Sequence, residues 1–187
     1  MPKVARKAAT KVVPFGRTPP KASRPTYGKE RGLHPLALSP LPKHLVVTAY
    51  VVDDDRVLLL FHRKHQGWLP PGGHVELLED PLRALIREFW EETGLMIAPV
   101  TVGDPYGNEP SVHVLPTPHH VQVESIDPKH EHVDLVYFCR RVGGTLKGNS
   151  ESEEIRWFTR EDLLRYPLDH NVRHFALMAL DDLSRKD

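Results

Sequence analysis

The stretch that decides the fold runs from Gly73 to Leu95 and reads GHVELLEDPLRALIREFWEETGL. Its middle predicts an α-helix with defined ends: Asp80 suits the N-cap, Pro81 the first helical position and Gly94 the residue after the last turn. Leu82, Leu85, Ile86 and Phe89 follow the spacing of a core-facing stripe. Glu88, Glu91 and Glu92 share another face, and at about 100° per residue they centre away from that stripe. Stacking them is unfavourable. Each like-charged pair at helical contact distance costs roughly 0.2–0.5 kcal/mol. Glu91 and Glu92 also fall in a last turn where the macrodipole favours cations by about 0.3–1 kcal/mol per charge. A hard cation held at this face accounts for the arrangement; a solvated acidic face is the plainer alternative, and spacing alone leaves both open.

The surrounding residues extend the pattern. Gly73, five residues, Glu79, seven residues and then Arg87-Glu88-Phe89-Trp90-Glu91-Glu92-Thr93-Gly94-Leu95 resembles the Nudix box at every specified position, with Phe89 and Leu95 at its two bulky apolar sites. The resemblance implies an α/β fold, the Nudix-type α/β/α sandwich with a mixed sheet. It also implies a hydrolase acting on a nucleoside diphosphate linked to another moiety, with Mg²⁺ as cofactor and Mn²⁺ as a substitute. Carried over by position, Glu88, Glu91 and Glu92 correspond to the family's metal-binding glutamates, with Glu91 and Glu92 also catalytic. Arg87 corresponds to an arginine that orients helix and loop, Glu79 to its charge partner, and Gly73 to a glycine whose backbone approaches the metal. The chemistry has need of such groups. A diphosphate repels a nucleophile, so a divalent ion must neutralise its oxygens, and a bound water attacks once a base takes its proton.

Other candidates lie outside the box. In ESEEIRWF, an acid shortly before the tryptophan reaches the metal in similar proteins, which makes Glu151 or Glu153 a further ligand or the base; a solvated acidic loop is an equal alternative. His132 and Asp134, two apart in HEHVDLVYFC, share one face of a predicted strand and are candidates to line the substrate pocket or to sit half-exposed. Arg63, Lys64 and His65 are candidates for phosphate contact within what is otherwise a basic surface loop. Trp68 reads as core or pocket wall. Asp53 to Asp55, between two apolar runs, predicts a hairpin turn.

Strands are predicted at 45–52, 57–61, 96–102, 112–115, 121–125, 133–141 and 155–158, with a short helix after Thr159 and a last helix from Asp169 or Asn171 to about Ser184. With 187 residues, 40% of them hydrophobic and 27% charged, the chain suits a globular domain. No apolar run approaches the ~20 residues of a membrane span. The single Cys139 reads as a buried thiol of a reducing, cytoplasmic compartment.

Charge is unevenly spread. Residues 1–42 hold nine of the 25 Lys/Arg against Glu30 alone, an excess of eight positive charges that the remaining 16 basic and 24 acidic residues cancel. This proline-rich segment, 1–42, reads as a flexible extension ahead of a Nudix hydrolase domain at 43–187, and it lacks the apolar core of a secretory signal. The expected partner is a small nucleotide substrate rather than a membrane. Nucleic acid gripped by the basic arm, as in RNA 5′-end processing, and a homodimer stay open, as does a non-hydrolytic nucleotide-sensing module.

Overall fold

The computed structural model describes residues 40–100, 111–148, 150 and 152–184. Eight strands and three helices follow in the order β1 (Lys43–Asp53), β2 (Arg56–His62), β3 (Gly67–Leu69), β4 (Gly72–His74), α1 (Pro81–Thr93), β5 (Leu95–Pro99), β6 (His120–Asp127), β7 (His130–Gly144), β8 (Ser152–Thr159), α2 (Arg160–Arg165) and α3 (His170–Leu183). The sheet is mixed. Its main path runs β3-β2-β1-β7-β5, with β4 on β1, β6 on β7 and β8 on β2. β1 and β7 are parallel from Lys43↔Glu131 to Val52↔Arg140, and the other pairings are antiparallel. β1 and β2 are joined at Asp54-Asp55, where Asp54 takes a φ of 56°.

Alternation along the central strands sorts the core into two layers. Val47, Ala49, Val51, Leu58, Tyr137 and Cys139 meet Ala84, Leu85 and Phe89 of α1. Tyr50, Val52, Leu59, Val136, Phe138 and Phe158 meet Leu163 of α2 and Val172, Phe175, Ala176 and Leu180 of α3. This is the α/β/α sandwich expected. Truncating a side chain as fully enclosed as Phe89 to alanine costs about 3–5 kcal/mol. Among the described residues, no helix is long and apolar enough to cross a membrane.

Local rules explain the helix ends. Asp80 accepts a hydrogen bond from the Arg83 N–H at 3.0 Å, and Gly94, with φ 67°, returns its N–H to the Trp90 carbonyl at 2.7 Å. Thr159 and Asp162 cap α2 reciprocally.

Two expectations need correction. The buried stripe of α1 is Ala84, Leu85, Phe89, Glu92 and Thr93, whereas Ile86 is 43% exposed. Glu92 therefore continues the packed face instead of lying away from it. No strand forms at 112–115; Val112 makes an isolated bridge, and nearby Pro116 and Pro118 have no N–H to offer a ladder. Residues 1–39, which hold most of the basic extension, lie outside the described residues, as do 101 and 102 of the strand expected at 96–102.

Candidate functional site

The short strand β4 runs beside α1, and two glycines set the distance between them. The Gly72 N–H donates to Glu92 Oε2 at 2.9 Å, which satisfies a carboxylate only 7% exposed. A Cβ on Gly73 would lie 2.4 Å from Glu88 Cδ, so the Glu88 carboxylate occupies the space left by the missing side chain. Glu91 stays half-exposed on the next turn.

Arg87 binds this ridge to the loop before it. Its Nε and Nη2 donate to Glu79 Oε2 and Oε1 at 3.1 and 2.6 Å, a bidentate pair, and Nη2 also reaches the His74 carbonyl at 3.1 Å. Nη1 lies 3.0 Å from Glu88 Oε1 and 3.3 Å from Glu91 Oε2. Glu79 further accepts from the Glu76 N–H at 2.9 Å. Hydrogen bonding to Arg87 holds the Glu79 carboxyl below its usual range, and the same bond raises the guanidinium. Burial pushes Glu88 upward, against the pull of Arg87. One guanidinium thus faces three carboxylates, with Glu92 a fourth on the same helix, which leaves the ridge short of positive charge. A set of carboxylate oxygens with that deficit suits a hard divalent cation.

Of the downstream acids, Glu153 falls in β8. Glu151 lies outside the described residues. Glu153 is the extra residue where β8 pairing with β2 skips from Glu154 to Ser152, an irregularity of the kind that re-aims side chains. Glu153 and Glu154 are exposed and line a cleft of about 460 Å³ with Leu146, Gly148, Ser152 and Ile155. The Lys147 N–H donates to the Thr93 carbonyl at 2.7 Å, docking one wall of the cleft on the end of α1.

The remaining candidates are dispersed. Arg63, Lys64 and His65 are exposed in the turn between β2 and β3, where Arg63 Nη2 is 3.5 Å from the Ser152 carbonyl. Trp68 is core, 8% exposed and packed edge-on against Phe158 and Phe61. His132 and Asp134 do share a face of β7, but it is the face turned away from α1, continuing Val136 and Phe138 of the α3 layer. There Gln122 Nε2 donates to Asp134 Oδ2 and Glu124 Oε1 at 3.2 and 2.8 Å, and Asn171 Nδ2 to Gln122 Oε1 and Glu124 Oε1 at 3.1 and 3.2 Å. Burial, reinforced by the Glu124 charge, pushes Asp134 up to about 7, against hydrogen bonds from Thr48 and Gln122. Burial and then the neighbouring His74, His130 and His44 rings push His132 down to about 4. Sequence reasoning misses Gln122, Glu124, Asn171, His44 and His74. Only the pairing of β1, β4, β6 and β7 and the packing of α3 bring them together.

The model of the family described as NUDIX domain matches residues 42–179. A MutT-like protein of Streptomyces ambofaciens is 33% identical over 149 residues, 79% of this chain and 81% of its own length. A probable DHNTP pyrophosphohydrolase of Lactococcus lactis subsp. cremoris is 33% identical over 93 residues, 50% of this chain and 51% of that protein. Among solved structures, a hydrolase from Clostridium perfringens described as of the NUDIX family shares 32% identity with a TM-score of 0.67, over 77% of this chain and 100% of that one.

Proposed function

The chain belongs to the NUDIX family of hydrolases, and from that premise we propose that it cleaves the diphosphate linkage of a nucleoside diphosphate joined to another moiety, using Mg²⁺, or Mn²⁺ in its place, held by Glu88, Glu91 and Glu92. The observation that carries this reading is the fit of α1 to β4: the Gly72 N–H fixes one carboxylate, and the missing side chain of Gly73 leaves room for another. When bound, the ion supplies neutralisation of phosphate oxygens and acidifies a water.

The protein's own groups do the rest. Glu92 is anchored, so its carboxylate is directed rather than mobile. Arg87, clamped to Glu79 and the His74 carbonyl, fixes the loop at residues 74–79 against the helix and keeps the ridge from splaying under its own repulsion. A carboxylate of the ridge or of the adjoining cleft, Glu91 or Glu153, takes the proton of the attacking water. The water oxygen bonds to phosphorus, the anhydride P–O bond breaks, and its electron pair leaves with the departing phosphate. The Lactococcus relative, named as a pyrophosphohydrolase, supports this reaction class. Arg63, Lys64 and His65 are assigned to the substrate's outer phosphates.

The test is release of phosphate or nucleoside monophosphate from nucleoside triphosphates, nucleotide sugars, dinucleotides and capped RNA, with Mg²⁺ and with Mn²⁺. Turnover is expected with at least one member and should vanish with chelator. Glu92→Gln should lower kcat by at least about 100-fold while melting as the parent does, since a glutamine oxygen still accepts from Gly72. No turnover of any member by the parent protein, or full turnover by Glu92→Gln, would overturn the proposal.

A further inference from the structure

A second group of ligand-type side chains lies across the sheet from the glutamates. Along β4 successive side chains alternate between faces. The Gly73 position faces Glu88 on α1, so His74 projects to the opposite side. His44 on β1 pairs with His132 on β7 in the parallel register, and His74 pairs with Val46, two residues along from His44. Three strands thereby deliver three imidazoles to one patch. One donor nitrogen from each can be chosen so that all lie within 4.8 Å of one another.

We propose that His44, His74 and His132 form a second metal site, chemically distinct from the glutamate ridge, that takes a borderline transition ion of the Zn²⁺ class. Imidazole nitrogen suits zinc and its neighbours, whereas Mg²⁺ seeks carboxylate, carbonyl and water oxygen. Zinc–nitrogen bonds of about 2.0–2.1 Å in a tetrahedral set place donor nitrogens roughly 3.4 Å apart. His44 Nδ1 and His74 Nε2 are already at 3.4 Å. His132 Nε2 is buried and has no hydrogen-bond partner, an orphaned lone pair or N–H that bonding to a metal would relieve. His44 and His74 are exposed, so an ion can enter and a fourth position stays open to water or another ligand. The surroundings support the geometry. His130, with Nδ1 3.1 Å from Asp127 Oδ1, stacks on the His44 ring at 4.8 Å between centroids and so limits its orientation.

A hydrogen bond between His44 and His74 with no ion is the competing account of the 3.4 Å contact, and the two are separable. Tag-free full-length protein would be titrated with Zn²⁺ against a chromophoric chelator in excess Mg²⁺, and with Co²⁺ while the visible spectrum is followed. The site predicts one equivalent of Zn²⁺ and an intense tetrahedral Co²⁺ band in the unmodified protein. His132→Gln and His44→Asn, each checked for parental melting, should weaken Zn²⁺ binding by at least about 100-fold. Glu92→Gln should leave Zn²⁺ binding unchanged, which separates this site from the hydrolytic one. A chain that binds no equivalent above non-specific uptake and gives only the pale octahedral Co²⁺ spectrum would refute the site. So would binding that survives both histidine variants and is lost in Glu92→Gln.

Discussion

Replacing Gly73 with alanine tests the ridge with one methyl group. The added Cβ would meet Glu88 Cδ at 2.4 Å and its oxygens at 2.5 and 2.8 Å. Ordinary contact begins near 3.4 Å, so the carboxylate must retreat by about 1 Å. The displaced atoms end a flexible side chain. Folding should therefore be spared, all the more since alanine in a strand is favoured over glycine by roughly 0.5–1 kcal/mol. Catalysis should not be spared, because a misplacement of about 1 Å at a reacting centre costs on the order of 100-fold, about 2.7 kcal/mol in the barrier. Gly72→Ala supplies the control. Its Cβ would lie 2.2 Å from the Val47 carbonyl oxygen, in backbone that cannot step aside. Overpacking of that kind costs about 1–3 kcal/mol, or roughly 2–12 °C in Tm for a chain of this size. The assay is Mg²⁺-dependent phosphate release beside a thermal melt. Gly73→Ala should melt with the parent and turn over about 100-fold more slowly, whereas Gly72→Ala should melt early. A fully active Gly73→Ala, or one as unstable as Gly72→Ala, would refute the reasoning.

Arg87→Lys replaces a planar fork with a point charge that cannot pair bidentately with Glu79 while reaching the His74 carbonyl. After screening at this partly exposed site, a loss of about 1–2 kcal/mol is expected, read as a fall of roughly 2–8 °C in Tm. Asp134, with its folded pKa raised to about 7, binds a proton in the folded state that the unfolded chain has released above about pH 4. It therefore makes the protein lose stability as pH rises from about 4 to 7, by up to about 4 kcal/mol. His132, lowered to about 4, acts in the opposite sense as pH falls below its ordinary value. The check is the difference between Asp134→Asn and the parent across denaturant titrations at pH 5 to 8: parallel curves would show that Asp134 does not titrate as described. Cys139 is fully enclosed and its thiol is pushed up by burial, so a thiol reagent should label it only on unfolding. Labelling as fast in buffer as in denaturant would contradict that placement.

What sequence can disclose here divides along the distance between partners. The ends of α1 are legible because Asp80, Pro81 and Gly94 act on backbone within a turn of themselves. The glutamate ridge is legible because its spacing lies within one short segment, and the Arg87–Glu79 pair through the family resemblance of that same segment. The rotation of α1 is not. Ile86 fits a helical period as well as Ala84 does, and only the fit against β1 and β4 selects Ala84 and admits Glu92 to the packed face. Asp134 and His132 can be assigned to one face of a strand, yet nothing local says which helix that face meets. The polar group around Gln122, Glu124 and Asn171, and the histidines at 44, 74 and 132, depend on pairings among β1, β4, β6, β7 and α3 that no spacing records.

The parallel ladder between β1 and β7 bears on how the chain reaches its native state. Its two strands stand roughly 90 residues apart, and tethering a flexible loop of that length costs about 4 kcal/mol before any rung forms. Both apolar layers draw on these two strands, so neither layer is complete until β7 has left the ribosome. Until then the nascent amino-terminal half carries β1 with one long edge bare, an adhesive surface that invites chaperones or aggregation. Maturation of this protein should accordingly be limited by the arrival of residues 130–144 rather than by any earlier helix or hairpin.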